Sequence, residues 1–146
     1  MFYGEYVHTL DEKNRFILPA KFREIARRMP INTFYLTRGL DRCLFLFPDN
    51  EWKRQEEVFK TLPVTSSQAR RFNRIYFSGA VEIELGKQGR ILIPQYLKDF
   101  AVIDKEIVVI GVSSRIEIWS RENWDKFYGE AISEFEDIAE QLISEK

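Results

Sequence analysis

The cleanest alternation of apolar and polar positions lies at residues 80–85. Val81, Ile83 and Leu85 fall on one side there, and Ala80, Glu82 and Glu84 on the other. A two-residue period predicts a half-buried strand whose apolar side faces a core. Residues 5–10 carry the same period, with Tyr6, His8 and Leu10 set against Glu5, Val7 and Thr9. Each segment runs into a polar turn, Asp11-Glu12-Lys13-Asn14 or Gly86-Lys87-Gln88-Gly89. A second short strand follows, Arg15 to Leu18 or Arg90 to Ile93, closed by Pro19 or Pro94. The spacing then becomes helical, with Phe22, Ile25, Ala26 and Met29 in the first half and Leu97, Phe100 and Ala101 in the second. Each proline suits the first helical position, where its missing donor costs nothing. Two more strands end each half, about residues 33–38 and 43–47, then 106–111 and 115–119, with turns starting at Gly39 and Gly111.

Between the halves the pattern predicts helices over about Asp49 to Leu62 and Ser66 to Tyr76, the second burying Ala69, Phe72 and Tyr76. From Ser120 onward one stripe runs through Trp124, Phe127, Ala131, Phe135, Ile138 and Leu142. As one helix it would extend about 35 Å, long enough for its end to rest on a neighbouring subunit.

The two halves are an internal repeat. A shift of 75 places Gly4 on Gly79, Leu10 on Leu85, Arg15 on Arg90, Pro19 on Pro94 and Ala26 on Ala101. A shift of 72 then places Gly39 on Gly111 and Trp52 on Trp124. Like units pack about a pseudo-two-fold axis, as the subunits of a symmetric dimer do. Strands this short do not stand alone, so the units are expected to share one core in an α+β fold. The predicted organisation is repeat 1 over 4–52, a helical connector over 53–78, repeat 2 over 79–124 and a C-terminal amphipathic helix over 125–146.

Charge adds a local asymmetry to a net charge of −1. Residues 121–146 hold three Lys/Arg against eight Asp/Glu, which leaves +4 on residues 1–120. A mildly basic body with an acidic tail permits a basic face. No apolar run approaches a membrane span, and no secretory leader is evident. The one cysteine, Cys43, has no partner for an internal disulfide and reads as a buried thiol in a reducing compartment.

Usual catalytic constellations are missing. With one histidine and one cysteine, nucleophile–histidine pairs and zinc sites lack partners. His8 stands on the apolar side of its strand, where the other half has Ile83, and reads as a packed or interface histidine. The glycines at 86 and 89 match neither nucleotide-binding spacing. The turns carry more: each places a lysine near its tip and an arginine at the start of the next strand. A guanidinium grips a phosphate or pairs with guanine, and a lysine adds a phosphate contact. The competing account is that Asp11 braces its own turn through Arg15; in the second turn Gly86 replaces the acid and Arg90 remains. Arg70, Arg71 and Arg74 form a second basic group, which a solvated helix face explains as well.

Glycine, strand, Asp-x-x-x-Arg, two aliphatics, proline and a short helix together resemble the SpoVT-AbrB DNA-binding domain. Two such domains in tandem, with Arg-rich residues 70–80 leading into the second and Arg-Ile-Glu-Ile-Trp at 115–119, resemble the MraZ family of transcriptional regulators over essentially the whole chain. The resemblance implies a swapped-hairpin, double-split β-barrel acting as an intramolecular dimer. It also implies a sequence-specific regulator, mainly a repressor, of the division and cell-wall gene cluster, including its own promoter. Such a regulator would bind repeated short elements of double-stranded DNA and assemble into rings in the cytoplasm and nucleoid.

The DNA-contacting motif then falls on Asp11 to Arg15 and Gly86 to Arg90, with Lys13, Asn14, Arg15, Lys87 and Arg90 as contact residues. Asn14 stands where that pattern has glycine, and Gly86 where it has aspartate. No cofactor, metal, membrane or small-molecule substrate is expected. A ring-forming interaction scaffold without DNA binding is the alternative, and an enzyme working by carboxylates alone a weaker third.

Overall fold

A computed structural model describes residues 1–144 of the chain. The first half forms β1 (Phe2–Thr9), β2 (Arg15–Ile17), α1 (Ala20–Arg28), β3 (Thr33–Arg38) and β4 (Leu44–Pro48). Two helices follow, α2 (Asp49–Lys60) and α3 (Ser67–Ser78). The second half repeats the first as β5 (Val81–Glu84), β6 (Arg90–Leu92), α4 (Gln95–Phe100), β7 (Glu106–Ser113) and β8 (Arg115–Ser120). The chain closes with α5 (Arg121–Ala131), a 3₁₀ turn (Ile132–Glu134) and α6 (Phe135–Ser144). All three interior prolines at strand–helix junctions, Pro19, Pro48 and Pro94, keep extended ψ angles. They sit one residue before the helix, at the cap, rather than at the first helical position. Ser66 and Ser120 cap their helices conventionally, accepting from the N–H groups of Ala69 and Asn123.

The strands do not pair within their own halves alone. Six form one antiparallel sheet in the order β1-β7-β8-β4-β3-β5, and β2 pairs with β6 in a separate two-stranded ribbon. So β1 of the first half lies on the β7–β8 hairpin of the second, and β5 of the second lies on the β3–β4 hairpin of the first. The two hairpins meet through β4 and β8. Equivalent hydrogen bonds mark the exchange: Leu10 N–H donates to the Lys105 carbonyl at 2.8 Å, and Leu85 N–H to the Asn32 carbonyl at 2.7 Å.

One hydrophobic core draws on both halves. Phe16, Phe22, Leu36 and Leu46 meet Ile91, Leu97, Val109 and Ile118, all buried. The alternations also identify the core sides of the first strands, Tyr6 and His8 on β1 running on to Leu10, and Val81 and Ile83 on β5 running on to Leu85. A second core, which the repeat pattern does not announce, covers the other face of the sheet. Phe45, Phe47, Val108 and Trp119 point there from the strands and meet Trp52 of α2 and Tyr76 of α3. The central strand β4 is therefore apolar on both sides, while β8 sets Trp119 beside a buried Glu117 that accepts from Trp119 Nε1 and pairs with Arg115. Cys43 is fully buried in this layer, and burial pushes its thiol pKa up.

Another sequence expectation changes. Gly111 does not start a turn; it lies inside β7 opposite Gly4, and the chain reverses at Ser113, whose φ is 61°. A Cβ at Gly111 would sit 2.5 Å from the Phe2 carbonyl carbon and the Tyr3 nitrogen. The glycine thus lets β1 approach closely, which carries Phe2 into the core against Phe22, ring centroids 5.4 Å apart. The C-terminal stripe forms the expected long helical run, which tightens to a 3₁₀ turn at Ile132–Glu134 between α5 and α6. Trp124 and Phe127 pack on Trp119 at 5.3 and 5.1 Å, whereas Phe135, Leu142 and Ile143 are exposed.

Gly111→Ala is expected to destabilise the protein by about 1–3 kcal/mol, the usual range for overpacking. Gly129→Ala, in α5 with nothing within 4 Å of the added carbon, should instead raise stability by up to about 1 kcal/mol from helix propensity. Urea unfolding of the two variants checks both signs; an unchanged Gly111→Ala midpoint would contradict the close approach of β1.

Candidate nucleic-acid interface

Register decides where the two turn arginines point. In the ribbon Arg15 stands opposite Leu92, Phe16 opposite Ile91 and Ile17 opposite Arg90. Phe16 and Ile91 are equivalent residues of the repeat, so the pseudo-two-fold axis passes through their pair. Both are buried, at 4% and 0% exposure. Because successive side chains alternate, Arg15, Ile17, Arg90 and Leu92 share the opposite, outward face. The arginines occupy one diagonal of that face, with Cα atoms about 7–8 Å apart; Ile17 and Leu92 occupy the other and are half exposed. Both arginines border a single cleft together with His8.

The turns share a left-handed pivot but differ at their first residue, where Gly86 has φ 62° and Asp11 has no positive φ. Asn14 and Gly89 both adopt left-handed conformations, φ 62° and 67°. Each then reaches across the axis: Leu18 N–H donates to the Gly89 carbonyl and Ile93 N–H to the Asn14 carbonyl, both at 2.9 Å. A basic residue of the other half covers each of them. Lys98 Nζ donates to Asn14 Oδ1 at 2.7 Å. Arg23 lies so close over Gly89 that a Cβ there would collide with its Cδ, while its Nε donates to the Leu18 carbonyl at 2.9 Å. Arg23 and Lys98 are repeat equivalents, a match that the shift of 75 carries in the sequence.

In side-chain chemistry the turns differ. Asp11 Oδ1 accepts from the N–H groups of Lys13 and Arg15, both at 2.9 Å, and Oδ2 accepts from Arg15 Nε at 3.0 Å. The brace is real, yet it takes only one nitrogen of the guanidinium. Arg15 keeps 31% of its side chain exposed, and its two Nη groups have no hydrogen-bond partner among the described residues. Arg90 is exposed and has no side-chain partner among the described residues either. The two lysines are not equivalent positions: Lys13 matches Gln88, and Lys87 matches Glu12. Lys13 borders Asp11, Glu12 and Arg15, whereas Lys87 faces a separate cleft against α1. Asn14 is half-buried and its side chain is already engaged by Lys98.

The remaining candidates fall outside the ribbon. His8 is half-buried beside Phe16, ring centroids 6.0 Å apart, and burial lowers its pKa below the usual histidine value. On α3, Arg70 donates to the Val64 carbonyl at 2.7 Å, while Arg71 and Arg74 are exposed. Among the described residues no group of three or more His, Cys, Asp or Glu side chains could hold a metal ion, and no helix is long and apolar enough to cross a membrane.

The chain's two halves each match one known family. The model of that family, described as "MraZ protein, putative antitoxin-like", fits residues 1–75 and again residues 76–146.

The Asp11 carboxyl is held below its ordinary value of 3.8, chiefly by the Arg15 main-chain N–H bonding its charged form. Partial desolvation opposes this, and the Lys13 N–H and the Arg15 guanidinium add to the lowering. With the folded value depressed, the stabilisation from the brace is complete above the unfolded-chain pKa and is lost as pH falls through the lower folded one. Carboxyl titration followed by NMR should give Asp11 a midpoint below 3.8; a midpoint at or above it would contradict the brace.

Proposed function

The chain belongs to the MraZ family, and on that premise we propose that it is a sequence-specific DNA-binding transcriptional regulator. The supporting observation is the outward face of the β2–β6 ribbon, which carries Arg15 and Arg90 about a pseudo-two-fold axis. A two-stranded ribbon fits the major groove, where arginine pairs bidentately with the O6 and N7 of guanine. Arg15 suits that role because its Nε is fixed by Asp11, which leaves the two Nη groups pre-aimed. Lys13, beside it on an exposed tip, suits a phosphate. Crossed first strands agree with a swapped-hairpin, double-split barrel, the arrangement we propose for the pair of repeats.

The target in this reading is a set of repeated short elements upstream of the division and cell-wall gene cluster, the chain's own promoter included. The protein acts there mainly as a repressor, in the cytoplasm at the nucleoid. No catalysis is part of the reading. Copies assemble into a ring, which presents many ribbons to tandem elements and so raises the effective concentration of each further contact. The exposed apolar side of α6, with Phe135, Leu142 and Ile143, favours self-association, and it would serve equally a scaffold that never touches DNA.

Binding to the chain's upstream region, measured by fluorescence anisotropy, separates these readings. Arg15→Ala should weaken binding to the specific site by about 1–3 kcal/mol while leaving the fold intact. Lys13→Ala should weaken specific and scrambled duplexes alike and reduce the salt slope by about 0.9. Wild-type protein that oligomerises but shows no sequence-dependent retention would leave only the scaffold. Phe135→Ser, which removes exposed apolar surface, should shift the sedimentation profile toward smaller species.

A further inference from the structure

The second turn borders a basic cleft, whereas the cleft at the equivalent Val102, Asp104 and Lys105 of the other half is lined by acidic as well as basic side chains. Arg23 and Arg27 of α1 line one side of it and Lys87 the other, over a floor of Ala26, Ile31 and Leu85, with a volume of 390 Å³. No acidic side chain lines it. Arg27 and Lys87 are both exposed and make no salt bridge or side-chain hydrogen bond among the described residues. By contrast the neighbouring Arg28 is tied to Glu24 at 2.5 Å. Gly86 stands at the mouth of the cleft with open space where a Cβ would be. Its repeat equivalent is Asp11, so the carboxylate that braces the first turn is missing where it would oppose the cleft's charge. At the equivalents of Arg27 and Lys87 the other half has Val102 and Glu12.

We propose that this cleft docks a backbone phosphate of the bound duplex, and that the two turns divide the work. Turn 1, with Arg15 held by Asp11, aims a rigid guanidinium at base edges. Turn 2, without a brace, joins α1 to clamp the sugar–phosphate chain through Arg27 and Lys87. The three cationic side chains that line the cleft meet no acidic lining residue, so an entering phosphate would meet net positive charge. Arg23 is already committed to the Leu18 carbonyl through Nε, so it walls the cleft while Arg27 remains free to move onto the ligand. An operator half lying on repeat 2 is then gripped more tightly, and more indifferently to sequence, than the half on repeat 1. The inference rests on the chain being a DNA binder, as proposed above.

The test compares wild type, Arg27→Ala, Arg28→Ala and Arg15→Ala on the upstream duplex and on a scrambled duplex of equal length, by anisotropy at several salt concentrations. Arg27 lies on the exposed side of α1, so circular dichroism of its variant should match wild type. A contact made by counterion release fades toward 1 M salt. Arg27→Ala should therefore weaken binding to both duplexes about fifteenfold at 50 mM salt and about fourfold at 200 mM, lowering the slope of log K against log salt by about 0.9. Arg28→Ala should do neither. If Arg27→Ala binds like wild type while Arg15→Ala loses the specific site, the clamp is wrong and the DNA reading survives. Should Arg27→Ala abolish sequence preference instead, the residue reads bases and the division of labour is wrong. If wild type itself shows no salt-dependent retention on either duplex, the DNA reading falls and takes the clamp with it.

Discussion

The pairing of Phe16 with Ile91 across the pseudo-two-fold axis is the constraint from which the rest follows. Each belongs to a strand of only three residues, too short to persist unless its partner comes from the other half. Burying two large apolar side chains at that point, each worth about 1.5–3 kcal/mol, holds the ribbon against the shared core. It also commits the neighbours on both strands to the opposite face. The reciprocal hydrogen bonds from Leu18 to Gly89 and from Ile93 to Asn14 lock the crossing in register. A slip of one residue would exchange Phe16 and Ile91 with the arginines and bury charge.

Once the ribbon is fixed, symmetry and its violation shape the surface together. The backbone is nearly two-fold, and both turns pivot on a left-handed residue. The side chains are not. One turn carries a carboxylate that fixes its arginine; the other lacks it and opens onto the arginines of α1. Two platforms built on similar backbones thus differ in their electrostatics.

The crossed first strands explain the two-layered interior. With β1 and β5 exchanged, the β3–β4 and β7–β8 hairpins become the centre of one sheet. Their second faces then need cover, which α2, α3 and α5 provide with Trp52, Tyr76 and Trp124. The acidic C-terminal segment keeps its helical course past this layer but leaves its far apolar residues in solvent.

Much of this was legible along the chain. Alternation at residues 5–10 and 80–85 identified the core faces of β1 and β5, prolines marked the helix starts to within a residue, and the shift of 75 announced the twofold relation. Local periodicity carries that information because it records which side of an element is buried. Local periodicity did not show the crossing of β1 and β5, which entered only as what the family resemblance implies, nor the second core or the place of Gly111 inside β7, since each depends on which distant backbone comes close, and a single strand's pattern is the same whichever neighbour it meets. The candidate site divides in the same way. Residue type and spacing alone singled out Arg15 and Arg90 as a matched pair. Only the tertiary pairing of β2 with β6 decided that they share an outward face, and only the packing of α1 against the second turn gathered Arg27 and Lys87 into one cleft, because contacts between residues 60 positions apart leave no local period to read.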